Sequence, residues 1–431
     1  MQYSPSRRTA LVLCGTGAHG AYHAGVLRAL QEAGVKIDVV AGQGVGTAGA
    51  VLAAIDGGSR LWDADGVWRS PQTQRFYTWT RHTQILGIAL AVLFLVCVAA
   101  AVTPPPASTA ALIGVALVLV CIVALLLQAR SQRVRRATGG AWWNVLGAPF
   151  DPDPAIDMFS QAVWQLIRGG AQAERPPREA GRRYAEVLSD NLGQPGFREL
   201  MIVATDLDAR TDLTAALLRE PYRHEFLAPR AGRERRGEAL DLAGSGRDHA
   251  LDLMAAALTP PVICEPRLVP FGADSYWRGE SNRACERPGA VARLFEELAS
   301  AAVSQLIVVT GVATASAPHR LRVPRVDVRS RLGEFISAAE AAALRDGLTH
   351  AELRFDSFYV IRPAHNPVGP FDFRGAYDEA SDRRHSIAEL MERGYEDAYH
   401  QFIEPVVGAS GEMIAHGSRH ADRPRGIPEA H

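Results

Sequence analysis

Two glycine-rich turns near the start constrain this chain more than any other feature. Thr9 to Cys14 (TALVLC) is a short apolar run that breaks into Gly15-Thr16-Gly17-Ala18-His19-Gly20. Ala21 to Ala33 (AYHAGVLRALQEA) then places Val26, Leu27 and Leu30 on one helical face, with Gly34 as the stop. The pattern repeats at once: Val35 to Val40 reads as a strand, Gly42-Gln43-Gly44-Val45-Gly46 as a second turn, and Thr47 onward as a second helix. Apolar strands without polar alternation are buried on both faces. Strand, tight turn and helix, twice over, open a parallel α/β sheet.

Composition narrows the function classes. A net charge of -1 over 431 residues leaves no basic field for nucleic acid, and 47% hydrophobic content supplies a large core. Cys14, Cys97, Cys121, Cys264 and Cys285 are scattered and form no C-x-x-C pair, which argues against a disulfide framework or a zinc site and fits a reducing compartment. His224-Glu225 has no partner ligands at helical spacing, so no metal is expected. MQYSPSRRTALVLC has too short an apolar run for a signal peptide.

Ile85–Val102 (ILGIALAVLFLVCVAAAV) and Ala110–Leu127 (AALIGVALVLVCIVALLL) carry no charge and flank TPPPAST, which cannot continue a helix. At about 1.5 Å per residue each covers most of a hydrocarbon core roughly 30 Å thick. The expectation is a transmembrane hairpin in a multi-pass membrane protein of the bacterial inner membrane. Arg75 and Arg81 precede the hairpin and Arg130, Arg133, Arg135 and Arg136 follow it, which puts both long flanks in the cytoplasm.

The expected domain plan follows. Residues 1–80 begin an α/β domain, 81–136 form the inserted hairpin, 137–410 complete the domain with a C-terminal extension, and 411–431 are a disordered tail. Within the later part, Ala155–Gly169 reads as an amphipathic helix, 171–183 as a polar linker, Glu199–Thr205 and Gln305–Thr310 as strands, 228–249 as a charged loop, Leu353–Pro363 as a strand, and Ser386–Val406 as helical.

Each glycine turn formally matches G-x-G-x-x-G, so a dinucleotide-binding oxidoreductase is one reading. It wants an acidic residue at the end of the second strand, and Asp38 has the spacing but sits inside that strand.

The other reading takes the turns together. LVLCGTGAHGAYHAGVLRALQEAG resembles the oxyanion segment of the patatin-like phospholipase family, a G-G-G-x-R-G turn leading into a helix. IDVVAGQGVGTAGAVLAAI resembles that family's nucleophile elbow, G-T-S-x-G-A. MAAALTPPVICEPRL resembles the stretch lining its active site, and SYWRGESN the segment carrying its catalytic aspartate. The resemblance implies a three-layer α/β/α fold, here interrupted by the hairpin, and in active members a Ser-Asp dyad that hydrolyses lipid acyl esters. No cofactor is implied.

Both dyad positions are substituted. Gly44 stands for the serine, between elbow glycines Gly42 and Gly46, and Arg278 for the aspartate. Glycine has no oxygen to acylate, and arginine stays protonated. Thr16 and His19 also depart from the oxyanion pattern, while the backbone N–H groups of Gly15, Thr16 and Gly17 could still form an anion-binding nest. The expectation is a degenerate acyl hydrolase at the lipid bilayer. With Arg278 and His19 beside the nest, it would bind an anionic lipid or fatty acid as a sensor, scaffold or partner subunit. An active lipid acyl hydrolase with a relocated nucleophile, Ser275, is the enzymatic alternative.

Overall fold

The computed structural model describes residues 3–102, 109, 112–120, 122–123, 147–169, 177–228, 237–272, 279–313, 327–352, 354–378 and 381–408. The sheet strands are β1 (Thr9–Gly15), β2 (Val39–Gly44), β3 (Glu199–Asp206), β4 (Thr211–Leu217), β5 (Gly237–Asp241), β6 (Arg267–Pro270), β7 (Ser281–Cys285), β8 (Gln305–Thr310) and β9 (Ser357–Ile361). The longer helices are α1 (His19–Glu32), α2 (Val45–Ala54), α3 (Arg81–Val102), α4 (Asp153–Ile167), α5 (Pro177–Asn191), α6 (Ala250–Ala257), α7 (Val291–Ser300), α8 (Val328–Ala351) and α9 (Ile387–Ala398).

The main sheet runs β9-β8-β1-β2-β3-β4-β5, with β7 pairing β3 and carrying β6. From β9 to β3 every pairing is parallel. β4 and β7 run antiparallel to β3. The mixed α/β fold read from the two glycine turns is therefore present. Period-two alternation divides β1 between two layers: Ala10, Val12 and Cys14 share a core with Val291, Leu294, Phe295 and Leu298 of α7, whereas Leu13 meets Gly46 and Gly49 of α2. Arg8, just before β1, holds the start of β3 through two 2.8 Å hydrogen bonds to the Glu199 carboxylate.

Two helices fix the edge of the sheet where the turns lie. A β-carbon on Gly25 of α1 would run into the carbonyl oxygen of Met391, and one on Gly394 of α9 into that of Tyr22. These reciprocal glycines let the two backbones meet, and Tyr22 Oη seals the crossing by donating to Asp397 Oδ2 at 2.8 Å. The N-terminus of α1, which carries His19, is thereby held rigidly.

The described residues form two compact units. The larger gathers those up to Phe76, those of 154–261 and those after Pro266, and contains the sheet. The smaller, from 77–153 and 262–265, contains α3 and a two-residue antiparallel pairing of Thr78–Trp79 with Phe150–Asp151.

Several expectations are corrected. Among the described residues no helix is long and apolar enough to cross a membrane. α3 does form over the first expected span. Of the second expected span, 110–127, residues 112–120 and 122–123 are described and helical, whereas Arg130, Arg133, Arg135 and Arg136 lie outside the described residues. The transmembrane hairpin and the multi-pass inner-membrane location are withdrawn.

The polar segment read as a linker runs into a helix instead: α5 turns Ala180, Gly181, Tyr184, Ala185 and Leu188 inward while its charges face out. The charged 228–249 stretch contains β5, which pairs in parallel with β4. Residues 411–431 lie outside the described residues.

Candidate functional site

β1 and β2 end side by side, with Gly15 in register with Gly44. This brings the two glycine turns to one point at the C-terminal edge of a parallel sheet, where α/β folds place their sites. Gly44 has φ +61 and ψ -134 and is the residue from which α2 starts. A side chain is strained in that conformation. Gly42 and Gly46 are equally constrained, since a β-carbon would strike Thr47 in the first case and the carbonyl of Leu13 in the second. The turn thus has the shape of a nucleophile elbow, strand to sharp turn to helix.

The space beside Gly44 is filled by a carboxyl group. The point where a β-carbon of residue 44 would stand lies within contact of Glu286 Oε1 and of the Gly15 carbonyl oxygen. Glu286 follows β7 and is anchored by its backbone N–H, which donates to Thr259 O at 2.9 Å. Gln43 Nε2 donates to Glu286 Oε1 at 3.0 Å. Thr16 Oγ1 is 2.6 Å from Glu286 Oε1 and 2.6 Å from Glu340 Oε1. Thr16, Gln43, Glu286 and Glu340 are all buried.

That geometry fixes a proton. A threonine hydroxyl has one hydrogen to give. It donates to one carboxyl and accepts from the other, so one of the two glutamates is protonated. Burial pushes the Glu286 carboxyl well above the usual carboxylate range, and the charge of Glu340 pushes it further. Two ionised carboxylates this close in a dry interior would repel strongly, and sharing a proton through Thr16 removes that repulsion.

His19 opens α1 and is 2% exposed. Its Nδ1 lies 3.7 Å from Glu340 Oε2, and neither atom has a hydrogen-bond partner among the described residues. One turn further, His23 Nε2 donates to Cys14 O at 3.1 Å. Burial first, and His19 second, lower the His23 pKa to about 3, so the ring is neutral. Nearby thiols are no substitute nucleophiles: burial pushes the Cys14 thiol well up and the Cys285 thiol to about 12, leaving both protonated.

The sequence-expected residues are thus partly brought together. Gly15, Thr16, Gly17, His19, Gly42, Gly44 and Gly46 share one corner. Arg278 and Ser275 lie outside the described residues. Beside the first turn, the Thr16 hydroxyl is engaged with the carboxyl groups of Glu286 and Glu340. Gly17 is closed by the carbonyl of Pro370, to which Ala18 N–H donates at 2.8 Å.

Glu286 and Glu340 were not expected from the sequence. Glu340 sits in the buried stripe Gly333, Ile336, Glu340, Leu344, Gly347, Ala351 of α8, and its signal is a lone acid on an otherwise small and apolar helix face. Glu286 comes directly after the buried Ala284-Cys285 end of β7, an acid leaving a strand end at the site edge.

Residues 11–224 match the family model described as patatin-like phospholipase. Among solved structures, the crystal structure of VipD from Legionella pneumophila is similar at 13% identity, covering 93% of this chain and 68% of that chain, with a TM-score of 0.30. No curated protein matches.

Proposed function

From the premise that the chain belongs to the patatin-like phospholipase family, we propose that it has kept the lipid-related setting of that family and lost its serine chemistry. It binds a lipid or a lipid-derived molecule without cleaving it, as a sensor, scaffold or partner subunit. One observation carries this reading: the elbow keeps its shape around a glycine, and Glu286 fills the space of the missing side chain. A serine there would need a free approach to substrate, and Glu286 Oε1 and the Gly15 carbonyl oxygen stand in that space. Glu286 itself is no replacement nucleophile, because it is buried and holds Thr16 and Gln43.

The test is fatty-acid release from phosphatidylcholine mixed micelles by the purified full chain. The proposal expects release at the rate of buffer alone. Release above that rate, tracking the protein through a final size-exclusion step, overturns it. The enzymatic alternative through Ser275 predicts such release and its loss in Ser275→Ala.

A further inference from the structure

The smaller unit carries apolar surface that the elbow does not use. From Ile85 to Val102, α3 has no charged residue. Leu86, Ala89, Leu93 and Val96 are half-buried and fall on one stripe of it. That stripe meets the helical residues 112–120 and 122–123: a β-carbon on Gly114 would stand 3.5 Å from Val96 Cγ1, and Ile122 is buried.

The rest of α3 is open. Ile88, Phe94 and Leu95 are 64–67% exposed, and Ile85, Leu90 and Val98 are 44–52% exposed. At about 100° per residue these side chains cover roughly 220° of the helix circumference. Across the contact, Ile113, Leu117 and Val120 are 60–65% exposed, so the second helix is apolar on its outward side as well.

The extent of this surface decides what covers it. An exposed apolar patch of this size marks a contact site. A helix from a protein partner covers a stripe of about 100° and leaves the other sides in water. Hydrocarbon surrounds whatever enters it and covers every side at once. The root of α3 fits the same medium. Trp79 packs on Phe150 at 4.8 Å between ring centres while remaining partly exposed, and Arg81 opens the helix. An indole and a guanidinium at the end of an apolar segment match the headgroup level of a lipid layer.

We infer that α3 and the helical residues 112–120 and 122–123 enter the hydrocarbon of a lipid surface and hold the chain on it, with Trp79 and Arg81 at the headgroups. Entry into one leaflet needs no helix that crosses a bilayer, and among the described residues none is long and apolar enough to do so. Attachment of this kind is separate from what the elbow binds, and so goes beyond the function proposed above.

Vesicle flotation of the full chain tests it. The protein is dialysed free of detergent in the presence of neutral phosphatidylcholine vesicles and spun through a density gradient. It should float with the vesicles, and added salt should not release it, because the attraction is hydrophobic. Ile88→Glu combined with Leu95→Glu, both at exposed positions, should weaken vesicle binding at least tenfold with unchanged thermal unfolding, since a carboxylate is costly in hydrocarbon. A maleimide dye on the exposed Cys97, in Cys121→Ser protein, should be quenched more by nitroxides on the acyl chains than by nitroxides on the headgroups. Protein that stays at the bottom of the gradient overturns the inference, and a discrete dimer there assigns the surface to a second copy. Release by salt, full flotation of the double variant, or stronger quenching from the headgroups also overturns it. Flotation reads attachment and the micelle assay reads cleavage, so either can fail alone.

Discussion

Glu286 Oε1 and the missing side chain of Gly44 claim the same space. In an elbow that acts by covalent catalysis this space belongs to the nucleophile, and access to it is the reason for the sharp turn. Here that space is closed by a carboxyl group. The carboxyl that closes it is tied to both glycine turns, through Thr16 on one and Gln43 on the other. It cross-links the ends of β1 and β2 to the segment after β7.

Restoring the serine alone should fail. Gly44→Ser meets about 1–3 kcal/mol of backbone strain and about 1–3 kcal/mol of forced overpacking against Glu286 and the Gly15 carbonyl. Thermal unfolding should show a clearly lowered Tm, with no gain in ester hydrolysis. Adding Glu286→Ala should recover only part of the loss, because the Gly15 carbonyl remains in contact.

The protonated state of Glu286 has a pH signature. Its folded pKa is raised, so above the unfolded value of 4.5 the folded chain keeps a proton that the unfolded chain has released. Its contribution is complete below that value and is lost as pH rises toward the folded pKa, at up to about 1.4 kcal/mol per pH unit. Glu286→Gln should remove this alkaline slope at a cost below about 1.5 kcal/mol. Glu286→Ala, which strips Gln43 and Thr16 of a partner, should cost about 1–3 kcal/mol. Urea unfolding across pH 5–9 reads both.

His23 acts in the opposite direction. Its folded pKa of about 3 lies below the unfolded 6.5, so the unfolded chain takes up a proton first as pH falls. Stability is complete above about 6.5 and declines toward pH 3, again by up to about 1.4 kcal/mol per unit. His23→Gln, which keeps a donor for Cys14 O, should flatten this acid limb and leave the alkaline limb unchanged.

The Arg8–Glu199 pair should matter more than any surface ion pair. Both residues are buried, the contact is bidentate, and the guanidinium also lies 3.5 Å from the centre of the Tyr222 ring. Arg8→Ala leaves Glu199 with one partly exposed cation, Arg219, and should cost about 3–5 kcal/mol in unfolding free energy. Arg8→Lys should restore only part of this, because an ammonium cannot grip both oxygens.

The start of the sheet was legible because β1 and β2 are apolar runs ending in glycine. β2 was misplaced by a few residues because Gly42 and Gly44, read as turn, are still paired strand residues. α8 escaped notice because its buried stripe is built from Gly333, Gly347 and Ala351 around a single glutamate, which carries little apolar contrast. α5 was hidden under its arginines and acids. At the site, the sharp turn at Gly44 could be read from the glycine pattern alone. The acids packed against it could not, since Glu286 and Glu340 reach Thr16 from 270 and 324 residues away. The apolar stretches before and after TPPPAST misled because hydrophobic length was taken as a span.

The central claim is that the elbow holds no nucleophile. Intact-mass measurement after incubation with a fluorophosphonate probe tests it most directly. The account predicts an unmodified mass for the full chain under conditions in which an active serine hydrolase is fully labelled. A stoichiometric single adduct on the folded protein, absent after heat unfolding, would contradict it.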